Sequence, residues 1–279
     1  MKKENCGEQS GRPGAGKIKL YNMSEINKDV LDSLKNLYFC GDIHGEYKEF
    51  IWTITKRYGI RNSAIVVLGD FGVGFDKTMT DLYKWSEKKL NDTNNVIFTI
   101  RGNHDDPEYF KDENKYSYPR LRFMEDHKVY NICGRSIYTV GGANSTDVSY
   151  RLGINQNLAA KGKDRRVWWP GEDIVRKYDD LPTKVDIIIS HSAPLSFLPV
   201  ITKFPETPEW QYDNILSERK YLDHILVEVK AKYWFYGHYH NNFSGSFGEL
   251  LYKGLGIMNF YEAPIIQEDN PQGAIEEDI

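Results

Sequence analysis

The sequence predicts an α/β fold, and three features of the chain indicate it. Short apolar segments of strand length alternate with segments whose apolar residues recur at helical spacing. The order strand, loop, helix occurs three times in the first half of the chain. Polar residues directly follow each of these strands, at the end of a sheet where α/β proteins gather their functional sites.

The first half of the chain contains the clearest helix and strand signals. Ile26, Val30, Leu31 and Leu34 recur at helical spacing after Ser24, a residue that can cap a helix N-terminus. Continuous apolar segments that end in polar residues are typical of buried strands. We expect helices at 24–34, 46–58 and 79–90, and strands at 37–40, 64–68 and 96–100.

The second half is less regular. We expect short antiparallel strands at 121–123, 128–132 and 136–140, long surface loops over 141–171, and a helix at 173–181. A buried strand at 185–189, a proline-rich loop at 194–208 and an amphipathic helix at 214–231 follow. The last strands are expected at 234–236, 243–247 and 249–252, where the final two complete a second sheet.

The domain organisation follows from composition and from the spread of polar strand ends. The chain has 279 residues, of which 40% are hydrophobic and 27% charged, a profile typical of a globular protein with a sizeable core. Candidate site residues extend from position 42 to position 240, so we expect one domain. The expected boundaries are a disordered N-terminal segment at 1–17, the domain at 18–267 and an acidic, mobile tail at 268–279.

Charge and cysteine content limit the classes of protein to consider. A net charge of −4 from 36 basic and 40 acidic residues argues against a broad nucleic-acid-binding surface. Local basic patches are still compatible with this net charge. The three cysteines have no metal-binding spacing and indicate reduced thiols. No apolar run approaches the ~18 residues of a membrane span, and the first residues lack the apolar h-region that is typical of a signal peptide. We therefore expect a cytoplasmic protein without a membrane partner.

Five strand ends have side chains that can bind a divalent metal. The first is Gly41-Asp42-Ile43-His44-Gly45, where a carboxylate and an imidazole follow a buried strand. Alone, such a pair is most often an ordinary turn, but the pattern recurs and includes five of the seven histidines. The residues at the five strand ends are Asp42 with His44, Asp70, Asn103 with His104, His191, and His238 with His240.

The order of these motifs resembles that of the calcineurin-like metallophosphoesterase superfamily, in particular its small bacterial and phage-type members, over residues 37–241. The resemblance implies a four-layer α-β-β-α sandwich of two mixed sheets with flanking helices and a dinuclear metal site at the strand ends. It implies that Asp70 bridges the two metals and that the other ligands divide into two sets. These are Asp42, His44 and His240 for the first metal, and Asn103, His191 and His238 for the second.

The resemblance also implies a reaction. Two cations ~3.5–4 Å apart can bind a phosphoryl group and acidify a bridging water to the attacking hydroxide. His104 would assist the leaving group, and Asp105 would orient His104. The cofactors are then two divalent metal ions, with Mn expected first and Fe, Zn, Ni or Co compatible with the same ligands.

Two segments bear on the substrate. The Ser/Thr protein phosphatases of this superfamily extend the second motif to Gly-Asp-x-x-Asp-Arg-Gly, whereas residues 69–74 here lack both the second acid and the phosphate-binding arginine. This difference favours a small phosphorylated molecule or a nucleotide over a phosphoprotein. The segments Gly141–Asp147, Arg151 and Trp168–Glu172 resemble segments of small bacterial and phage members. An Asp147–Arg151 ion pair is expected from the four-residue spacing, and we also predict that Arg151 reaches the substrate phosphate.

We therefore predict a metal-dependent phosphoesterase that hydrolyses a phosphomonoester or a phosphodiester. A nuclease or cyclic-nucleotide phosphodiesterase is the alternative, because Lys161, Lys163, Arg165 and Arg166 precede Trp168 and offer a modest basic groove. A solvated charged loop and buried tryptophans explain the same residues more simply. A non-catalytic binding scaffold is less favoured, since every ligand position is filled. The substrate, the oligomeric state and the pathway stay open.

Overall fold

Two β-sheets packed face to face form the centre of the protein in the computed structural model, which describes residues 28–75, 79–163, 165–197 and 207–265. The predicted disordered segment at 1–17 and the predicted tail at 268–279 lie outside these residues. So do residues 24–27 of the first predicted helix and most of the predicted loop at 194–208. No helix within the described ranges is long and apolar enough to cross a membrane.

Sheet A is formed by five strands. In spatial order they are β11 (Phe260–Glu262), β1 (Asn36–Cys40), β2 (Ser63–Val67), β3 (Val96–Thr99) and β4 (Leu121–Phe123). Strands β1 to β4 run parallel, and β11 pairs with β1 in the antiparallel direction. In the β1–β2–β3 register, Phe39 lies beside Val66 and Val66 lies beside Phe98. These three side chains therefore point to the same face of the sheet.

Sheet B is formed by six strands. In spatial order they are β5 (Val129–Ile132), β6 (Arg135–Val140), β7 (Ile187–Ser190), β8 (Tyr233–Tyr236), β10 (Leu250–Gly254) and β9 (Phe243–Phe247). Strands β6, β7, β8 and β10 are parallel, and the two edge strands are antiparallel to their neighbours. Both sheets are thus mixed, and the final hairpin completes the second sheet as predicted.

Helices cover the outer face of each sheet. The flanking helices are α1 (Lys28–Ser33), α2 (Tyr47–Trp52, continued by a π-helical turn at Thr53–Arg57), α3 (Met79–Thr93), α4 (Glu113–Tyr116), α5 (Val148–Ala160) and α6 (Glu209–Glu228). Side chains of α2 and α3 form one core with the outer face of sheet A, and side chains of α6 form another with sheet B. A third core lies between the sheets, where the rings of Phe39 and Phe235 stack with centroids 4.2 Å apart. The predicted four-layer sandwich is confirmed.

The structure corrects three expectations in the less regular regions and adds one strand. Strand β4 pairs with β3 in the parallel direction, whereas we expected an antiparallel strand. The predicted loop at 141–171 contains the thirteen-residue helix α5. Residues 173–181 are not helical, and the Tyr221 hydroxyl bonds both the backbone N–H and the carbonyl of Lys177 within this segment. Strand β11 was not predicted.

The topology brings the five polar strand ends together. Strands β1, β2 and β3 are parallel neighbours in sheet A, and β7 and β8 are parallel neighbours in sheet B. The inner faces of the two sheets share one core, so the carboxyl ends of these strands meet along one edge of the sandwich. The loops that follow those ends contain the predicted metal ligands.

Candidate metal centre

Three donor atoms from the ends of β1 and β8 converge on one point. The Nε2 atoms of His44 and His240 lie 2.9 Å apart. Asp42 Oδ2 lies 3.2 Å from His240 Nε2 and 3.7 Å from His44 Nε2. Together with Asp70, these residues form the group of potential metal ligands found among the described residues, with donor atoms within 4.8 Å of one another. The predicted first-metal set is therefore brought together.

Asp70 lies between this group and a second one. Its Oδ2 faces the first group, 3.8 Å from His44 Nδ1. Its Oδ1 faces the other way, 3.2 Å from His191 Nε2, and also accepts the backbone N–H of His104 at 2.7 Å. Because the two carboxylate oxygens face different histidines, Asp70 has the geometry of a bridging ligand.

The second group is formed around His191 and is more deeply buried. His191 Nε2 lies 3.0 Å from Asn103 Oδ1, while its Nδ1 lies 2.7 Å from the carbonyl of Leu68. A ring that donates Nδ1–H to a carbonyl presents Nε2 as the free ligand atom, which is the usual arrangement of metal-binding histidines. The His238 ring packs against His191 at a centroid distance of 4.9 Å. His238 also donates its backbone N–H to Asp42 Oδ1, which connects the two groups.

Four of the predicted ligands lie in an unusual backbone conformation. His44, Asp70, His238 and His240 have φ values of 44°, 49°, 68° and 56°. Left-handed φ is uncommon for residues with a side chain, although aspartate, asparagine and histidine tolerate it better than most. Such a cluster is characteristic of functional sites, where the surrounding fold maintains a strained backbone.

Two glycines permit the close approach of these loops. A Cβ atom at Gly102 would lie 2.2 Å from Asp70 Oδ1, and one at Gly237 would lie 2.4 Å from Asp42 Oδ1. Real Cβ atoms do not come this close to a carboxylate oxygen, so any side chain at these positions would displace a predicted ligand. Gly102, which precedes Asn103, therefore leaves room for the Asp70 carboxylate. Gly237, which precedes His238, leaves room for the Asp42 carboxylate.

The donor atoms present fit a divalent metal. Asp42 Oδ2 is buried and accepts no hydrogen bond in this structure, which is costly for a carboxylate oxygen unless a cation satisfies it. Atoms that bind one ion at about 2.0–2.2 Å are themselves separated by about 3–3.6 Å. The spacings of 2.9, 3.2 and 3.7 Å among Asp42, His44 and His240 are close to that range. The oxygen and imidazole donors suit Mn, Fe, Zn, Ni or Co.

Asp70 and His191 form a buried charge pair. Burial alone would favour the neutral carboxyl, yet His191 and His104 lower the pKa of Asp70 well below its usual value. Burial likewise opposes a charged imidazole, yet the Asp70 carboxylate raises the pKa of His191 to about 10. Burial lowers the pKa of His238 well below its ordinary value. A metal at His191 therefore competes with a strongly held proton, and metal affinity should fall at low pH.

The sequence comparison assigns the family. The family model described as calcineurin-like phosphoesterase matches residues 35–242, which is most of the chain and includes all five motifs. The chain belongs to the calcineurin-like phosphoesterase family. Its members are metal-dependent hydrolases, and the candidate metal group lies at the strand ends as expected.

The chain is also similar to solved structures. The crystal structure of the phosphopantetheinyl hydrolase from Mycobacterium tuberculosis is similar at 15% sequence identity, with a TM-score of 0.40. The match covers 81% of this chain and 90% of that chain. Among curated proteins, none matches the sequence.

His104 borders the first group of this phosphoesterase-family site. Its ring meets the His44 ring edge-on at a centroid distance of 5.1 Å, and Phe75 stacks beside it at 6.0 Å. Burial is the largest effect on the ring and lowers its pKa, against the opposing charge of Asp70. His104 is thus near the donor atoms without joining the group of potential ligands, which is compatible with its predicted role beside the leaving group.

Asp105 supports the loop after β2. Its two carboxylate oxygens accept backbone N–H groups of Phe71, Gly72, Val73 and Gly102 at 2.7–3.2 Å. Burial, followed by the nearby charge of Asp70, raises the pKa of Asp105 to about 6. These contacts hold the loop that begins with Asp70. The orientation of the His104 ring by Asp105 stays a prediction.

Arg151 lies under the second group. The expected ion pair is present, with Nε 2.9 Å from Asp147 Oδ1. The other nitrogens bond the backbone carbonyls of Asn103 and Val167 and the carboxylate of Glu172, each at 3.2 Å. The side chain is 4% exposed. Contact between Arg151 and a substrate phosphate stays a prediction.

Three residues near the site were given no role by sequence reasoning. Ser145 bonds the Asn103 amide, Glu172 bonds Ser145 and Arg151, and Glu218 of α6 bonds the backbone and side chain of Asn144. Burial raises the pKa of both Glu172 and Glu218 to about 7. Ser145 and Glu172 belong to the two segments that resemble small bacterial and phage members, and that resemblance was the available signal. Glu218 is one of several acidic residues on a long helix, and no sequence signal distinguished it from the others.

Proposed function

We propose that the protein is a dinuclear-metal-dependent phosphoesterase that hydrolyses a phosphomonoester or phosphodiester of a small molecule or nucleotide. The observation that supports it best is the position of Asp70, whose two oxygens face His44 on one side and His191 on the other. A carboxylate shared between two groups of oxygen and imidazole donors is the arrangement a two-metal site requires.

Seven of the site residues bind the metals in this proposal, and His104 transfers a proton. Asp42, His44 and His240 hold the first metal, Asn103, His191 and His238 hold the second, and Asp70 contacts both. When bound, the two cations polarise the phosphate ester and lower the pKa of an attacking water. Asn103 contributes a neutral oxygen, which limits the negative charge that an anionic substrate meets. Manganese is the first metal to test, because oxygen and imidazole ligands suit it.

His104 acts on the leaving group. Its ring lies beside His44 at the edge of the site, and burial lowers its pKa. A lower pKa makes the protonated ring a stronger acid towards the oxygen that departs from phosphorus, although fewer rings are protonated at neutral pH. Asp70 Oδ1 accepts the His104 backbone N–H, which holds the backbone of this residue beside a predicted metal ligand.

The substrate is a small phosphate ester rather than a phosphoprotein. Residues 71–74, which follow Asp70, are the apolar and glycine residues Phe71, Gly72, Val73 and Gly74. Three of their backbone N–H groups are bonded to Asp105. This loop therefore supplies no cationic side chain for a phosphate, in contrast to the extended second motif of the Ser/Thr protein phosphatases. The reaction is expected to take place in the cytoplasm.

The test compares initial rates, with Mn²⁺ supplied, on an aryl phosphomonoester and on the matching bis-aryl diester. The Asp70→Asn variant is the blank, and the metal content of both proteins is measured in parallel. A rate above the blank on either ester supports the proposal. The ester that is hydrolysed faster shows whether the enzyme prefers phosphomonoesters or phosphodiesters. Two bound metals with no rate on either substrate would contradict it and favour a binding scaffold.

A nuclease or cyclic-nucleotide phosphodiesterase is the second candidate. The side chains of Lys161, Lys163, Arg165 and Arg166 are exposed, and this segment leads into Val167, whose carbonyl bonds Arg151. A nucleic-acid substrate would give a strong diester preference and a rate that falls steeply with salt. A monoester preference, or a diester rate that does not vary with salt, would count against this candidate.

A further inference from the structure

A closed ring of hydrogen bonds lies behind Asn103. The Asn103 Nδ2 donates to Ser145 Oγ at 2.8 Å, and Ser145 Oγ donates to Glu172 Oε2 at 2.8 Å. Arg151 completes the ring, since Nη2 donates to the same Glu172 oxygen and Nη1 donates to the Asn103 carbonyl, both at 3.2 Å. All four residues are buried, with 2–4% of their surface exposed.

The ring determines which way the Asn103 amide faces. Ser145 has one hydroxyl proton. The Arg151 guanidinium 3.2 Å from Glu172 Oε2 favours the ionised carboxylate, which can only accept, so that proton belongs to the Ser145–Glu172 bond. The Ser145 oxygen is then left to accept, and it requires the NH₂ group of Asn103. Oδ1 must therefore face the other way, where it lies 3.0 Å from His191 Nε2. A flipped amide would set Oδ1 against the Ser145 oxygen, two acceptors with no proton between them.

Glu172 is itself held as an acceptor. Its Oε1 accepts the backbone N–H of Ser145 at 2.9 Å, in addition to the two bonds of Oε2. Ser145 is held on its other side by Gln211 of α6, whose amide bonds the Ser145 carbonyl. Glu172 and Gln211 thus fix the position of Ser145, whose hydroxyl orients Asn103.

We propose that Ser145 and Glu172, together with Arg151, are positioning residues that hold Asn103 Oδ1 as a ligand and so set the affinity of the second metal. The inference rests on the proposed function, because it needs Asn103 to bind a metal. The segments around Ser145, Arg151 and Glu172 are separate in the sequence and form one ring in space.

The ring should act on one metal and not on the other. Outer partners of metal ligands typically contribute about 10–100-fold to metal affinity. Without the Ser145 hydroxyl the Asn103 amide can rotate and present NH₂ to the cation. The hydrogen bonds of the ring in the described residues do not involve Asp42, His44 or His240, so the first metal should be retained.

The experiment measures Mn²⁺ binding by equilibrium dialysis and elemental analysis, with spin coupling between the two ions followed by electron paramagnetic resonance. Wild type should bind two ions, and Ser145→Ala should bind the second about 10–100-fold more weakly and lose the coupled signal. Ser86→Ala is the matched control, because Ser86 is buried and bonds the Tyr47 hydroxyl outside the site. Two ions bound with wild-type affinity by Ser145→Ala would overturn the inference.

A second variant separates positioning from a general structural effect. Aspartate at position 103 presents an acceptor oxygen whichever way its carboxylate faces. In the Asn103→Asp background, Ser145→Ala should therefore change second-metal affinity by less than about 3-fold, against about 10–100-fold in the wild-type background. Equal losses in both backgrounds would overturn the positioning role. Should Ser145→Ala fail to fold, Glu172→Gln, which places a donor where the ring needs an acceptor, allows the same pair of measurements.

Arg151→Ala discriminates between two roles for the arginine. As part of the ring, its loss should weaken the second metal in the same assay. As a phosphate contact, its loss should raise KM and leave both metals bound, and this outcome would exclude Arg151 from the positioning group. A wild-type protein that binds fewer than two metals would instead contradict the proposed function itself.

Discussion

The two halves of the candidate metal centre differ in how deeply they are buried. In the first half, the side chains of His44 and His240 are 26% and 47% exposed. In the second half, the His191 side chain is fully buried and Asn103 is 3% exposed. Both halves use oxygen and imidazole donors, so their chemistry is alike while their access to solvent is not.

The halves also differ in what lies behind the ligands. The first half is built from the loops after β1 and β8, and its rings mainly contact one another. The second half is backed by α5 and α6. Arg219 of α6 bonds the carbonyls of Ala193 and Pro194, just after His191, and Glu218 bonds Asn144. The comparison indicates a second half held by surrounding hydrogen bonds and a first half that is open to solvent.

Asp70 belongs to both halves, so its loss should have the largest effect. Asp70→Asn keeps an oxygen for the His104 N–H and a residue type that tolerates left-handed φ, but it removes the bridging charge. We expect loss of both metals and a fall in kcat/KM on the order of 10³-fold or more. Metal analysis beside initial rates measures both. A variant that retains two metals would show that the halves do not share this residue.

His104 should separate catalysis from metal binding. His104→Asn removes the proposed proton donor and leaves the donor atoms of both halves in place. We expect kcat to fall by about 10²–10⁴-fold with two metals still bound. A poor leaving group should be affected more than a good one, such as nitrophenolate, because it needs the proton more. Loss of metal in this variant would refute the assignment and add His104 to the ligands.

The difference in burial should appear in the stability of the metal-free protein. His191→Asn removes the partner of a buried carboxylate and should lower the free energy of unfolding by about 3–5 kcal/mol. His240→Asn, on the exposed side, should change it by less than about 1 kcal/mol. Urea denaturation in the presence of a chelator measures both. The opposite ranking would show that burial does not distinguish the halves.

The last predicted effect depends on pH and concerns Glu218, behind the second half. Burial raises its pKa to about 7 from the usual 4.5. Between these values the unfolded chain releases the proton and the folded chain retains it, so this group's contribution to stability is full below pH 4.5 and is lost as pH rises through 7. Between pH 4.5 and 8, wild type should therefore lose about 3 kcal/mol of folding stability relative to the Glu218→Gln variant.

The Glu218 prediction is measured by denaturation of metal-free protein across that pH range. Glutamine retains the oxygen that accepts both Asn144 donors. Glu228→Gln, at the exposed end of the same helix, controls for the replacement of a glutamate by a glutamine where the side chain is not buried. A difference between Glu218→Gln and wild type that does not vary with pH would contradict the prediction.

The strand ends could be predicted from sequence because each one is a local signal. A run of apolar residues that ends in Gly-Asp or Gly-His marks both the end of a strand and the polar side chain placed there. Parallel order then brings the ends together without any knowledge of side-chain packing. The helix α5 gave no such signal: it contains Gly153, and Arg151 is its buried residue, so no apolar stripe marks it.

The supporting residues could not be predicted for a different reason. Ser145 acts on Asn103 from 42 positions away, and its role is defined by one hydroxyl proton. No pattern of composition or periodicity encodes that partnership. The direction of β4 was beyond prediction as well, because three residues fit a parallel or an antiparallel neighbour equally well.

The left-handed backbone at His44, Asp70, His238 and His240 restricts how this chain can change over generations. A β-branched residue there would add steric strain of about 1–2 kcal/mol to the loss of a ligand. Glycine and asparagine would add little. A lineage that abandoned metal chemistry should therefore drift towards glycine and asparagine at these four positions rather than at random. Surviving copies that lost their activity would be recognisable by that bias.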